Sequence, residues 1–242
     1  MSGLQKKETA AAVYWWDPTR IAEPDEPHFQ PSWWQEQDRV VGSSTGRNVA
    51  WFVQGEQGNM VLRHYYRGGL VGKVLTDQFW LESVEKSRAM REFQLLQWMA
   101  DEGLPVPRPC AARYARRGLI YRADLLIEMI PNSRDIFRMM TDQGPLDSAL
   151  WQSVGATVRA MHDKGVYHSD LNCHNIMLDS DNKVWLIDFD KCERREPGEW
   201  QQANCERLLR SLRKELTKND SFGWKESDWS AFMAGYQGTH AA

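Results

Sequence analysis

The first half of the chain has a pattern of apolar positions that predicts mainly β-strands. Two runs rich in β-forming residues, 49–53 and 60–65, flank a glycine-rich turn, which predicts a hairpin. Apolar residues recur at helical spacing over residues 87–100, and the prolines that follow end this predicted helix. A further strand pair is predicted over residues 118–130.

The second half has mostly helical periods. Helices are predicted over residues 147–165, 204–216 and 228–236, the first of them closed by a glycine. Two short apolar runs at residues 175–179 and 184–190 enclose a polar turn, which predicts a second hairpin. A strand-rich half is therefore followed by a helical half with one polar hairpin near its start.

The N-terminal segment, residues 1–40, is rich in proline, acidic residues and tryptophan and has no sustained period. We predict an extension that packs on the neighbouring domain through its tryptophans, in preference to one that inserts them into a membrane interface. These tryptophans are Trp15, Trp16, Trp33 and Trp34.

The composition is that of an ordinary globular protein. Hydrophobic residues make up 42% and charged residues 26% of the 242 residues, and the net charge is -3, so a disordered class and a nucleic-acid partner are both disfavoured. No apolar run reaches the ~20 residues that span a bilayer, and the N-terminus lacks the apolar core of a secretory signal, so a cytoplasmic location is expected. The four cysteines lie far apart without a C-x-x-C pair, which predicts reduced thiols.

Polar residues interrupt the apolar pattern at two places, H-S-D-L-N-C-H-N at residues 168–175 and I-D-F-D at residues 187–190. The first fits the kinase catalytic-loop pattern H-x-D-x-x-x-x-N, and D-F-D stands where kinases have the metal-binding D-F-G. The order of elements also matches a two-lobed kinase scaffold. Asp170, Asn175 and Asp188 are therefore the candidate reactive residues.

Phosphoryl transfer gives these three residue types a physical role. A hydroxyl nucleophile needs a carboxylate to accept its proton, so Asp170 is the predicted general base. Mg²⁺ prefers hard oxygen ligands, so Asn175 and Asp188 are the predicted metal ligands. His168 is expected to brace the loop by hydrogen bonding. The alternative is structural, since Asp and Asn often cap turns and strand ends.

Two further kinase parts are predicted in the strand-rich half. Glu92 shares the apolar face of its predicted helix, and a buried carboxylate needs a cation. Arg63 stands on the strand where kinases have a lysine, and its guanidinium could hold both Glu92 and phosphate oxygens. Lys73 is the rival phosphate ligand, and a surface pair with Arg88 is the alternative for Glu92.

Weaker signals concern nucleotide binding. The stretch G-S-S-T-G-R offers Gly42 and Gly46 for a phosphate-covering loop, although it departs from G-x-G-x-x-G and such turns are common in inert proteins. The stretch I-E-M-I resembles a kinase hinge, whose backbone groups at Glu128 and Ile130 would pair with adenine.

The segment after Asp190 bears on the substrate. Protein kinases continue with a long activation segment that ends in A-P-E. Here a short stretch, K-C-E-R-R-E-P-G-E-W, leads to the next predicted helix. Peptide substrates are therefore disfavoured, and the chain resembles kinases of small molecules such as aminoglycosides and choline.

Several segments together resemble the bacterial 3-deoxy-D-manno-octulosonic acid (Kdo) kinase family, relatives of the lipopolysaccharide heptose kinases. They are V-L-R-H-Y-Y-R-G-G-L-V-G-K, Y-R-A-D-L-L-I-E-M-I, Y-H-S-D-L-N-C-H-N-I-M-L-D and V-W-L-I-D-F-D-K. The resemblance implies ATP- and Mg²⁺-dependent phosphorylation of the 4-hydroxyl of a Kdo sugar on a lipid A precursor, at the cytoplasmic face of the inner membrane. It also implies that Asp170 is catalytic, that Asn175 and Asp188 bind metal, and that Arg63 is a family trait.

We accordingly predict an α+β, two-lobed protein-kinase-like fold, with a β-rich N-lobe that has one main helix and a mostly helical C-lobe. The predicted domains are the extension at residues 1–40, the N-lobe at residues 41–130 and the C-lobe at residues 131–242. Two alternatives stay open. One is another sugar or small-molecule kinase, such as a heptose kinase, and the other is a non-catalytic pseudokinase, suggested by the missing lysine.

Basic residues on the predicted helix at 204–216 bear on the partners. Arg207, Arg210 and Lys214 lie on one side of it and could clamp anionic groups of the substrate or contact anionic headgroups of the inner membrane. Acidic residues are interspersed among them, so a solvated face of mixed charge is the alternative.

Overall fold

The computed structural model describes residues 3–44, 49–66 and 77–238. They divide into two compact units. The first unit runs up to Gln97 and resumes over Pro107–Met129, and the second comprises Trp98–Val106 and continues from Ile130. The first is rich in strands and the second in helices, which confirms the predicted α+β, two-lobed kinase-like class.

The first unit is built on one antiparallel sheet. Its elements are β1 (Gln5–Glu8), β2 (Ala12–Trp16), α1 (Pro31–Glu36), β3 (Val40–Ser43), β4 (Trp51–Gly55), β5 (Gly58–His64), β6 (Phe79–Trp80), α2 (Arg88–Asp101), β7 (Pro109–Arg117) and β8 (Ile120–Glu128). The end of α2 belongs to the second unit. Within the described residues the strand order is β1-β2-β7-β8-β5-β4-β3, and β6 also pairs with β8.

The sheet confirms one predicted hairpin and corrects the other. The first hairpin is present as β4 and β5, joined by a tight turn in which Gly58 has φ 131°, a value that glycine adopts readily. The predicted strand pair at residues 118–130 is wrong, because this segment supplies the single strand β8, which pairs with β7. The pattern does not reveal β7, since buried positions such as Ala111 and Ala112 have little strand propensity.

The N-terminal segment takes part in the sheet. β1 pairs with β2, and β2 pairs with β7, although the sequence pattern predicts no strand there. The prediction that its tryptophans pack on the protein is confirmed for Trp16 and Trp34, which are buried in a core cluster with Leu62 and Leu126. Pairing with β7 therefore fixes a segment that local sequence leaves undefined.

The second unit is mainly helical. Its elements are β9 (Arg134–Asp135), α3 (Ile136–Gln143), α4 (Ser148–Asp163), β10 (Val166–Tyr167), β11 (Ile176–Leu178), β12 (Val184–Leu186), β13 (Glu193–Arg194), α5 (Trp200–Leu216) and α6 (Glu226–Gln237). The predicted hairpin is present as β11 and β12, and the three predicted helices are α4, α5 and α6. The pattern does not predict α3, which starts at a side-chain cap where Asp135 accepts a hydrogen bond from the Arg138 N–H at 3.0 Å.

α4 and α6 pack closely because each offers a glycine at their contact. A Cβ on Gly155 would clash with the carbonyl oxygen of Phe232, and a Cβ on Gly235 would clash with the carbonyl oxygen of Gln152. The two backbones therefore approach each other where a side chain would hold them apart.

Two features concern the environment of the chain. Among the described helices, none is long and apolar enough to cross a bilayer. The four cysteines are buried free thiols.

Candidate active site

The loop at residues 168–175 is organised around the buried side chain of His168. The Nε2–H of His168 donates to the carbonyl oxygen of Ile187 at 3.0 Å, and Nδ1 accepts the backbone N–H of Asp170 at 3.2 Å. Burial lowers the pKa of His168, which favours the neutral ring that these two bonds require. The predicted bracing role of His168 is confirmed.

Three predicted reactive residues are neighbours in the second unit. The side-chain Nδ2 of Asn175 donates to the backbone carbonyl of Asp170 at 2.9 Å. The backbone carbonyl of Asn175 accepts the N–H of Ile187 at 3.0 Å, which continues the β11–β12 pairing and brings Asp188 next to the loop. The predicted proximity of Asp170, Asn175 and Asp188 is therefore confirmed, and their chemical roles stay predictions.

Asn175 and Asp188 have the chemistry of a partial Mg²⁺ site. The side-chain nitrogen of Asn175, Nδ2, is used within the loop, so the side-chain oxygen, Oδ1, is the atom suited to a cation. Asp188 has φ 65°, a left-handed conformation that aspartate tolerates better than bulky residues do. The described residues hold no cluster of three or more His, Cys, Asp or Glu that could bind a metal. The pair of Asn175 and Asp188 fits Mg²⁺, because this ion commonly takes one or two protein carboxylates and completes its coordination shell with phosphates and water.

Helix α5 holds the loop at three points. Asn204 bonds both backbone groups of His168, and the Oγ of Ser211 accepts the backbone N–H of Cys173 at 3.1 Å. Between them, Arg207 bonds the side chain of Asp170. Helical spacing puts these three α5 residues on one face.

Sequence reasoning missed the loop-holding role of this face. The signal was weak but present, since Asn204 and Ser211 are uncharged polar residues that share one side of an otherwise leucine-lined helix. Asn204 is buried, and a buried amide requires hydrogen-bond partners.

The contact between Arg207 and Asp170 involves one carboxylate oxygen. The Nε of Arg207 donates to Oδ1 of Asp170 at 3.1 Å, and Nη2 donates to the same oxygen. The side chains of Arg207 and Asp170 are 44% and 51% exposed, so the candidate base is accessible to solvent. Its second oxygen, Oδ2, takes no part in the bonds to Arg207.

The loop is also tied to the D-F-D segment. The Oγ of Ser169 donates to the backbone carbonyl of Asp190 at 2.7 Å, and the N–H of Ser169 donates to Sγ of Cys192 at 3.2 Å. The ring of Phe189 lies 4.8 Å from the ring of His168. The catalytic-loop and D-F-D motifs thus form one connected structure.

The first unit contains the predicted pair of Arg63 and Glu92. Nη1 of Arg63 donates to Oε1 of Glu92 at 2.6 Å, and the hydroxyl of Tyr65 donates to Oε2 at 2.5 Å. The side chain of Glu92 is only 1% exposed, so the alternative of a surface carboxylate is wrong. The predicted ion pair is confirmed.

Comparison with known proteins identifies the family. The model of the lipopolysaccharide kinase (Kdo/WaaP) family matches residues 31–236. The chain belongs to this family.

Relatives named 3-deoxy-D-manno-octulosonic acid kinase are similar to this Kdo/WaaP family member over most of both chains. The relative from Vibrio parahaemolyticus is 44% identical over 94% of this chain and 94% of its own. The one from Photobacterium profundum is 45% identical over 92% and 94%, and the one from Haemophilus influenzae is 41% identical over 86% and 89%.

The remaining nucleotide-binding candidates of this Kdo/WaaP family member stay predictions. Gly42 lies in β3, where a Cβ would come within 3.1 Å of the ring of Phe52. The N–H of Glu128 donates to the carbonyl of Arg108 at 2.8 Å, so this donor is already engaged. The carbonyl of Ile130 accepts the Oγ of Ser133 at 2.9 Å. Gly46 and Lys73 lie outside the described residues.

Proposed function

We propose that this chain is an ATP-dependent Kdo kinase that phosphorylates the 4-hydroxyl of a Kdo sugar on a lipid A precursor. The observation that carries the proposal is the hydrogen-bonded connection between Asp170, Asn175 and the Ile187–Asp188 peptide. Membership of the Kdo/WaaP family supports it, as do relatives named Kdo kinase at 44% identity over 94% of the chain.

The proposed chemistry assigns one role to each residue of the second unit. The carboxylate of Asp170 accepts the proton of the sugar hydroxyl as that oxygen attacks the terminal phosphoryl group of ATP. Asn175 and Asp188 hold Mg²⁺ through oxygen atoms. When bound, the ion neutralises the charge of the phosphates. His168 keeps the backbone of Asp170 in place.

The proposed roles in the first unit concern ATP. Arg63 binds phosphate oxygens through the donors of its planar guanidinium, while Glu92 orients it. A planar cation can replace the usual lysine here because it offers several N–H groups. The remaining proposed nucleotide contacts are the glycine backbone at Gly42 and Gly46 and the backbone groups of Glu128 and Ile130.

The location proposed for the enzyme is the cytoplasmic face of the inner membrane, where it would associate peripherally. Basic residues of α5 support contact with anionic headgroups, since each lysine or arginine near such a surface adds about 1 kcal/mol of attraction. Co-sedimentation with anionic vesicles that weakens as salt rises, and that zwitterionic vesicles do not reproduce, is the expected result. Equal recovery with both kinds of vesicle would contradict the proposed contact with anionic headgroups.

The decisive experiment compares acceptors and a base variant. The protein is incubated with ATP, Mg²⁺ and lipid A precursors that end in either Kdo or heptose, and the products are weighed by mass spectrometry. Transfer of one phosphoryl group to the Kdo acceptor is expected, with a rate that falls ~10²- to 10⁴-fold in Asp170→Ala. Transfer only to heptose would reassign the substrate, and wild-type turnover in Asp170→Ala would reject the assigned base.

A further inference from the structure

The contacts of α5 with the catalytic loop are of two kinds. Asn204 and Ser211 bond backbone groups of His168 and Cys173 and so fix the course of the loop. Arg207 bonds only the carboxylate of Asp170. The shape of the loop therefore has supports other than Arg207.

Arg207 has further N–H donors next to the candidate base. A guanidinium carries five N–H donors, and in the described part of the chain its hydrogen bonds run from Nε and Nη2 to a single oxygen of Asp170. The side chain is 44% exposed, so the other donors are open to solvent. An anion that approaches the base would meet a cation already placed for bidentate binding.

The acceptor of the proposed reaction carries such an anion close to its reacting group. In a 3-deoxy-2-ulosonic acid the carboxylate is attached to C2 and the reacting hydroxyl to C4, and a single methylene separates these two carbons. A residue that binds the carboxylate must therefore lie within one sugar ring of the residue that binds the hydroxyl. Arg207 meets this condition because it contacts Asp170 directly.

We propose that Arg207 is the specificity residue that binds the carboxylate of the acceptor sugar while Asp170 binds its hydroxyl. The inference rests on the proposed Kdo kinase function and deepens it, since it explains selection of an acidic sugar over a neutral one such as heptose. Arg207 also keeps Asp170 directed at the substrate through the bond to Oδ1, which leaves Oδ2 for the proton.

The test is a cycle of two changes, one in the enzyme and one in the acceptor. Wild type and Arg207→Gln are assayed with the Kdo-bearing lipid A precursor and with the same precursor whose sugar carboxylate is converted to a primary amide. For wild type, amidation is expected to lower kcat/KM ~10- to 100-fold, the loss that follows removal of one charge-assisted contact. Arg207→Gln is expected to show a similar loss with the native acceptor and no further loss on amidation, with an unchanged KM for ATP.

Two further variants complete the design. Arg207→Lys keeps the charge without the planar fork and should fall between wild type and Arg207→Gln. Arg159→Gln is the matched control, because the Nε of Arg159 donates to Oδ1 of Asp163 at 2.6 Å in a pair that is 48% and 54% exposed. Its kinetics should equal those of wild type, and thermal melting verifies the folding of each variant.

Each other outcome has one meaning. Arg207→Gln could lower the rate and still lose kcat/KM on amidation by the same factor as wild type. In that case Arg207 acts only through Asp170, and the inference is rejected. The same holds if amidation leaves wild type unaffected, in which case a phosphate of the lipid is the anion to examine. If wild type does not phosphorylate the native acceptor at all, the proposed function fails, and the inference fails with it.

Discussion

Asn204 on α5 binds both backbone polar groups of His168, the first residue of the candidate catalytic loop. Its Oδ1 accepts the His168 N–H at 3.1 Å, and its Nδ2 donates to the His168 carbonyl at 3.0 Å. Both residues are buried. One amide thus satisfies a donor and an acceptor that would otherwise be left in the interior without water.

Replacement of Asn204 should impair both stability and turnover. In Asn204→Ala both backbone groups of His168 lose this partner, and each buried group left unpaired costs about 1–3 kcal/mol. The free energy of unfolding from urea titration should fall accordingly. In kinetic assays kcat should fall more than the KM for ATP rises, since the change acts on the loop that carries Asp170.

Asn219→Ala is the matched control for this prediction. Asn219 follows the end of α5, where its side chain donates to the backbone and side chain of Glu215. Its replacement should leave turnover unchanged and shift stability by less than about 1 kcal/mol. Equal losses of turnover and of stability in the two alanine variants would show that the bonds from Asn204 to His168 do not contribute specifically to either.

Loss of the cation and loss of the carboxylate from the Arg63–Glu92 pair should reduce stability by unequal amounts. Arg63→Met removes a cation from a carboxylate that is 1% exposed. Breaking a fully buried pair in this way typically costs about 3–5 kcal/mol of stability, and this range is the upper limit for the loss in Arg63→Met. Glu92→Gln keeps the shape and leaves an arginine that is 23% exposed, so its loss of stability should be smaller. Urea titrations of both variants measure the difference.

The double variant provides the internal check for this pair. Arg63→Met combined with Glu92→Gln removes both charges together, so it should lose less stability than the sum of the two single variants. Strict additivity would mean that the two side chains do not stabilise each other.

The glycines between α4 and α6 should tolerate no side chain. Gly155→Ala and Gly235→Ala each place a Cβ against a backbone carbonyl of the other helix, and overpacking of this kind costs about 1–3 kcal/mol. The gain in helix propensity from glycine to alanine is only about 1 kcal/mol. Thermal denaturation should therefore show a lower Tm for both variants.

Gly198→Ala serves as the control for the helix contact. A Cβ there would meet the ring of Trp200 at 3.6 Å, an ordinary contact distance. Its Tm should stay close to that of the wild type. A Tm for Gly155→Ala that matches this control would show that the helices can separate without loss.

The second unit should lose stability in acid through His162. Burial lowers the pKa of His162 to about 4, partly opposed by a hydrogen bond to Asn204, and Nδ1 of His162 pairs with the hydroxyl of Tyr236 at 2.8 Å. Because the folded state disfavours the charged ring, this contribution to stability is present above the ordinary pKa of 6.5 and is lost as pH falls towards 4. The full change amounts to about 3 kcal/mol.

Comparison with His162→Gln isolates this titration. Unfolding free energies at pH 7.5 and pH 5 should differ less in the variant than in the wild type, on the order of 1–2 kcal/mol less. His64 acts in the opposite sense: burial lowers its pKa, but the hydrogen bonds and negative charges of Asp124 and Asp77 together raise it by more. This contribution is the same in wild type and in His162→Gln. An unchanged pH dependence in His162→Gln would contradict the assignment.

Local sequence predicted those elements whose partners are close along the chain. The hairpins β4–β5 and β11–β12 and the helices α4, α5 and α6 follow from short-range periods and turns. The strands β2 and β7 were not predictable in this way, because β2 pairs with a strand far away in sequence and the buried alanines of β7 carry no strong preference.

The sequence by itself determined the candidate reactive groups, since the spacing of Asp170, Asn175 and Asp188 within one loop and one hairpin leaves few ways to arrange them. Only the tertiary structure decided what holds them. Asn204, which binds the backbone of His168, lies 36 positions after it in the chain. Arg207 lies 37 positions after its partner Asp170. Such partners are selected by the packing of a whole helix against the loop, which depends on burial and side-chain geometry and leaves no local pattern to recognise.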